Sequence, residues 1–232
     1  MLNNIYLFDV DGTLTPARQR MQDDFYSFFL KWIENKKVYF VSGSDYKKIQ
    51  QQIPENILLS IDGVFGCMGN TLHKKGKMIY ENNFVASHAL VEYLNNKLYS
   101  TEYPNLCGTH IEERAGMLNF SIVGRGATLE QRKDYWIWDK KTGERQEIAN
   151  FINKHYDSLE ASVGGEISID IYPIGWDKSQ VLEYIEGNYH FFGDRAFEGG
   201  NDYALAKVLD KEKDKVYNVE GYKETWAFLK MF

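Results

Sequence analysis

The sequence predicts an α/β fold: a parallel-sheet core wound with helices and interrupted by an inserted α+β layer. Three observations carry this. Short apolar runs alternate with helical stripes near the start, the middle switches to hairpin patterning, and the strand–helix alternation resumes at Trp176. "NIYLF" is a buried strand closed by a turn signal. Phe25, Phe28, Phe29, Trp32 and Ile33 then form a stripe that marks a helix over 21–35 with one buried face. "VYFVS" is a second buried strand, and "SDYKKIQQQI" a helix with Ser44 or Asp45 as its N-cap.

The middle differs. "TLHKKGKMIYEN" predicts a hairpin turning at Lys75-Gly76, and "THIEERAGMLNFSI" another at Ala115-Gly116. Residues 129–138 and 144–156 have helical spacing, and "EISIDIYP" alternates like a strand with one wet face. From Trp176, "KSQVLEYIE", "NDYALAKVL" and "YKETWAFLKM" are helices, while "YHFFGD" and "KVYNV" are strands. The expected boundaries are a core of 1–77 and 176–232, with a cap at 78–175.

Composition narrows the class. The chain has 232 residues, 44 % hydrophobic and 15 % aromatic, which is globular rather than disordered. A formal net charge of −6 argues against nucleic-acid or membrane partners, whose binding depends on a positive field. Cys67 and Cys107 are isolated, forming neither a metal motif nor a disulfide framework, so a reducing cytoplasmic setting is expected. Asp9 and Asp11 interrupt any signal-peptide pattern, and no apolar run is long enough to span a bilayer.

Those two aspartates pose the functional question, because they end the first strand. Their spacing sends both side chains to the same side, at the carboxyl edge where open parallel sheets bind ligands. A lone DxDG is as readily a turn. The other strand ends change the balance. "SGSD" supplies hydroxyls and amides for an anion, "YHFFGD" ends in Asp194, "EGGND" contributes Asp202, and Lys178 opens the resumed alternation. So many carboxylates on one edge need a counter-charge, most simply Mg²⁺ with oxygen ligands.

"DVDGT", "SGS", a later lysine and "GD……GGND", in that order, resemble the four motifs of the haloacid dehalogenase-like phosphotransferases. The resemblance implies a Rossmann-like core, with Asp9 as nucleophile forming an aspartyl-phosphate and Asp11 as general acid/base. Ser44 and Lys178 would hold phosphoryl oxygens, and Mg²⁺ would sit among Asp9, Asp11, Asp194 and Asp202. A carboxylate nucleophile needs its target's charge neutralised in this way.

The inserted segment "EERAGMLNFSIVGRGATLEQR", with "LFDVDGTLT", "GGEISIDIYPIGWDK" and "FFGDRAFEGGND", resembles the eukaryotic-type phosphomannomutases over most of the chain. That implies Arg18, Arg114, Arg125 and Arg132 on the sugar's non-reacting phosphate, with Asn119, Ser168 and Asp170 on that phosphate or the sugar hydroxyls. It further implies mannose 6-phosphate and mannose 1-phosphate interconversion for GDP-mannose synthesis, a hexose 1,6-bisphosphate activator, a closing cap and a homodimer through the caps. The choice between mannose and glucose phosphates stays open.

The chain departs from the family pattern at four places. "GCMGN" (66–70) stands where the family has "ENG", Cys107 where a basic residue precedes "GT", "EER" for "EFR", and Arg195 for the lysine after "GD". Glu113 would then sit beside Arg114 and weaken its potential. The competing readings are a Mg-dependent sugar-phosphate phosphatase on the same scaffold and a non-catalytic sugar-phosphate sensor. The scattered histidines, and Trp136 and Trp138 at a helix end, are expected to be surface or packing residues.

Overall fold

A computed structural model describes residues 4–209 and 211–232; residues 1–3 of the first expected segment lie outside them. In chain order the first segment holds β1 (Asn4–Phe8), α1 (Asp23–Trp32), β2 (Lys37–Val41), α2 (Tyr46–Gln52), α3 (Glu55–Ser60), β3 (Gly63–Gly66), β4 (Thr71–Lys74) and β5 (Lys77–Glu81). There follow α4 (His88–Ser100), β6 (Ile111–Arg114), β7 (Met117–Phe120), α5 (Leu129–Thr142), α6 (Glu144–His155), β8 (Leu159–Gly164) and β9 (Ser168–Pro173). The last segment holds a 3₁₀ turn (Lys178–Glu183), β10 (Asn188–Gly193), α7 (Tyr203–Val208), β11 (Lys215–Asn218) and α8 (Tyr222–Leu229).

The chain divides into two compact units, one made of residues up to Asn82 and from Gly175 onward, the other of Asn83–Ile174. The first boundary thus falls after 77, because β5 pairs with β4 and completes the core sheet.

The first unit carries a seven-stranded sheet in the order β11-β10-β1-β2-β3-β4-β5, parallel through β3. Strand order reverses at β1: the chain runs from it to β2 and β3 on one side and returns to β10 on the other. Such a switch point opens a crevice at the strands' carboxyl ends. The expected helix stripe is buried as predicted. Phe25, Phe29 and Trp32 pack against Phe8 and Phe40, with Phe8 and Phe192 stacked at 4.8 Å. Asp45, not Ser44, caps α2, accepting from the Lys48 amide. The helix expected from Lys178 is a short 3₁₀ helix, Lys178–Glu183.

The second unit is an antiparallel sheet, β6-β7-β9-β8, with α4, α5 and α6. Alternation along the strands decides its chemistry. Leu118, Phe120, Ile169, Ile171 and Ala161 turn to the buried core with Leu94, Tyr135 and Ile148. Glu112, Arg114, Asn119, Ser168 and Asp170 therefore share the opposite face. That face of β9 is buried rather than wet, Asp170 being 8 % exposed. Trp136 and Trp138 lie inside α5 rather than flanking its end; Trp138 packs on the core and Lys140 covers the Trp136 ring.

Candidate active site

Asp9 follows β1 directly, its amide donating to the Phe192 carbonyl, so the switch point itself aims its side chain. The carboxylate is buried, and Lys178 Nζ donates to Oδ1 at 2.5 Å. Lys178 is fully buried and shared, lying 2.6 Å from Asp202 Oδ1. Asp9, Asp194 and Asp202 each offer an oxygen within 4.8 Å of the others.

Three carboxylates around one ammonium leave unbalanced negative charge. Burial holds Asp9 well above the usual carboxylate range; Lys178 pulls it down, but Asp202 and Asp194 push it up again. Asp194 is pushed up to about 6, by burial and then by Asp202. Burial acts to lower Lys178, yet Asp202 and Asp9 outweigh it and hold the amine above its ordinary value. An oxygen-only, net-negative cluster of this kind fits a hard divalent cation.

Two glycines allow the acids to approach. Gly12 has φ 81°, and a Cβ there would meet Asp194 Oδ2 at 2.5 Å; one on Gly193 would meet Asp202 Oδ2 at the same distance.

Asp11 stands apart. The sequence places it with the metal-holding acids, but its carboxylate turns to other partners. It accepts from the Arg18 amide at 2.6 Å, from Gln52 Nε2 at 2.7 Å and from Ser44 Oγ at 3.4 Å. With those donors drawing it, the acidic cluster among the described residues is Asp9, Asp194 and Asp202. Gln52 is a site residue that sequence reasoning missed, being one of three consecutive glutamines at the end of α2.

In the second unit, Glu112 Oε2 accepts from Arg114 Nη2 at 2.5 Å and pairs with Arg125 Nε at 3.2 Å. Arg125 donates to Ser168 Oγ at 3.2 Å, and Arg132 donates to the carbonyls of Ala127 and Arg125. Asn119 donates to Asp170 Oδ1 at 2.5 Å, while its own buried Oδ1 has no partner among the described residues. The six expected residues of this unit thus fall into two bonded groups, Arg114, Arg125, Arg132 and Ser168 around Glu112, and Asn119 with Asp170; Arg132 reaches its group from α5. Glu113 does not join Arg114 as expected. It takes the other face of β6 and is exposed, and Glu112 is the carboxylate that the arginines meet. Arg18 belongs to the first unit, is exposed, and has a left-handed backbone with φ 59°.

Solved structures share this architecture, a Rossmann-like parallel-sheet core with an inserted α+β unit. The C-terminal domain of trehalose-6-phosphate phosphatase from C. albicans superposes with a TM-score of 0.64 at 15 % identity, covering 99 % of this chain and 91 % of that one. An IMP-nucleotidase from Plasmodium falciparum gives 0.60 at 15 % identity, covering 98 % and 66 %. At such identities the fold alone is shared.

Sequence comparison is more specific. The profile of the eukaryotic phosphomannomutase family matches residues 25–232, and the chain belongs to that family and is an enzyme of its type. Phosphomannomutase of Triticum aestivum is 36 % identical over 209 residues, 86 % of this chain and 84 % of its own. That of Schizosaccharomyces pombe is 35 % identical over 220 residues, covering 87 % and 84 %. Asp9 and Asp11 precede the profile match, so their roles rest on their surroundings.

Proposed function

We propose that this enzyme interconverts mannose 6-phosphate and mannose 1-phosphate by way of an aspartyl-phosphate on Asp9 and a hexose 1,6-bisphosphate. The observation that carries it is the buried Asp9 at the strand switch point, hydrogen-bonded to Lys178 within reach of Asp194 and Asp202. An Asp9 oxygen attacks phosphorus of the bisphosphate and the bond to the sugar oxygen breaks. Asp11 gives that oxygen its proton. In the second half, Asp11 takes the proton from a hydroxyl of the monophosphate, which attacks the aspartyl-phosphate and frees Asp9. Lys178 holds charge on the moving phosphoryl group, and the Ser44 hydroxyl, already turned to Asp11, serves the same group.

Asp9, Asp194 and Asp202 would hold Mg²⁺, which when bound neutralises phosphoryl charge. Arg114, Arg125 and Arg132 grip the phosphate that is not reacting, since paired guanidinium forks suit a dianion. Asn119 Oδ1, buried and without a partner among the described residues, would accept from a sugar hydroxyl. A hexose bisphosphate activator, a homodimer through the second unit, cytoplasmic residence and supply of GDP-mannose synthesis are in keeping with the family and belong to the same proposal. Among the described residues no helix is long and apolar enough to cross a membrane.

The test is a coupled assay of mannose 1-phosphate with and without catalytic bisphosphate, monitoring free phosphate in parallel. Hexose 6-phosphate should form faster than phosphate is released, and Asp9→Asn should abolish it while sugar-phosphate binding persists. Stoichiometric inorganic phosphate with no hexose 6-phosphate would identify a phosphatase and overturn the proposal.

A further inference from the structure

The segment 66–70, where this chain departs from its family, touches two of the phosphoryl-handling motifs. Cys67 and Met68 have φ 50° and 64°, consecutive non-glycine residues in the left-handed region. Side chains there are strained and persist only where the surroundings hold them. The holding contacts are specific. The Cys67 amide donates to the Ser44 carbonyl at 3.0 Å and the Met68 amide to the Ser42 carbonyl at 2.9 Å. On its other side, Gln180 Nε2 donates to the Met68 carbonyl at 2.9 Å, two residues after Lys178.

The fit leaves no slack. A Cβ on Gly69 would meet Gln180 Cγ at 2.9 Å and Val181 at 3.1 Å, and one on Gly66 would meet the Ser44 carbonyl at 3.1 Å. A buried amide network closes the arrangement. Asn70 Nδ2 donates to the Cys67 carbonyl at 2.8 Å, and Asn82 Nδ2 donates to Asn70 Oδ1 at 3.2 Å and to Gln180 Oε1 at 3.4 Å. The strained loop is thus a wedge, bonded on one side to the Ser42–Ser44 backbone and on the other to the turn that carries Lys178.

We infer that Gln180 is a positioning residue, which through the 66–70 loop fixes the distance between Ser44 and Lys178. The inference rests on those two residues serving the phosphoryl group, as proposed above. Gln180 bonds to Met68, Asn70 and Asn82 rather than to the acids of the site. A group that sets where two phosphoryl ligands stand acts on the reacting phosphoryl group, whereas the phosphate gripped by the arginines sets most of KM, and small misplacements are costly.

The experiment uses Gln180→Met, which keeps the volume and removes the donor, and Gln180→Glu, which keeps the shape and puts a carboxylate against the Met68 carbonyl. Both are assayed well below their melting temperatures. Each should lose kcat about tenfold or more with KM within about twofold of wild type. Inorganic phosphate titrated in the presence of Mg²⁺ should bind each variant about tenfold more weakly than wild type. A purely structural Gln180 would lower melting temperature alone, and unchanged kcat with unchanged phosphate affinity overturns the inference. If wild type proves to be no mutase, the phosphate titration still decides the role of Gln180. Wild-type affinity in both variants then refutes it independently of the reaction.

Discussion

Lys178→Met is the perturbation whose consequences the structure fixes most tightly. The ammonium is fully buried and lies 2.5 Å from Asp9 and 2.6 Å from Asp202, both also buried. Removing one partner from a buried ionic cluster leaves charge uncompensated and costs about 3–5 kcal/mol. For a chain of this size each kcal/mol moves the melting temperature by about 2–4 °C, so a fall of about 6–20 °C is expected in metal-free buffer near neutral pH. The loss should depend on pH with a definite sign. Asp9 is already held above its unfolded value by burial, and without Lys178 it rises further. A carboxyl raised in the folded state contributes fully below its unfolded pKa, and that contribution disappears as pH climbs through the folded one. The gap between variant and wild type should therefore be widest near pH 7.5 and narrow towards pH 4.5. Differential scanning calorimetry with EDTA across that range reads it directly. A gap that is constant with pH, or below about 2 °C at neutral pH, would show that Lys178 does not neutralise these acids.

Three other outcomes are expected. Mg²⁺ at about a hundred times its Kd should stabilise wild type by about 2.7 kcal/mol and Asp194→Asn far less, read as melting-temperature shifts after chelation and re-addition. Gly12→Ala places a Cβ 2.5 Å from Asp194 Oδ2 at a φ of 81°, so it should weaken Mg²⁺ binding by calorimetry and lower stability by more than about 1 kcal/mol. Glu112→Ala frees Arg114 and Arg125 from their common carboxylate and should raise KM for the hexose monophosphate about fivefold with kcat less affected, an effect Glu112→Gln should soften.

The strand ends were legible because open parallel sheets put their chemistry there. Asp9, Lys178, Asp194 and Asp202 could be collected from motif order alone, and they do converge. What escaped was direction. Motif spacing cannot tell that Asp11 turns away from the other acids, since Gln52 and the Arg18 amide that draw it come from elements with no signature of their own. In "EER", strand alternation could have chosen Glu112 over Glu113 as the arginines' partner, because residues two apart share a face and Arg114 lies two beyond Glu112. Helix α4 escaped because only Leu90 and Leu94 are buried in an otherwise polar stretch. Strand β8 escaped because its alternation is weak and runs into the paired glycines.

One short motif yields two chemically different carboxylates, and the surroundings explain how. Asp9 takes its backbone position from β10 and reaches into the protein, where Lys178 meets it and water does not. Asp11 falls in the turn that follows, where Gly12 at φ 81° swings the chain round and the Gly12 amide closes on the Thr15 carbonyl at 2.9 Å. Its partners are an amide, a glutamine and a hydroxyl, all neutral donors that can exchange with a substrate oxygen. A buried carboxylate with a fixed cation suits the role proposed for Asp9, which would be phosphorylated and then released unchanged. A half-exposed carboxylate among neutral donors suits the role proposed for Asp11, which would lose and regain a proton once in each cycle. The two environments thus depend on Gly12: with any other residue there, the turn that separates them would be strained and Asp194 would be displaced from the cluster it forms with Asp9 and Asp202.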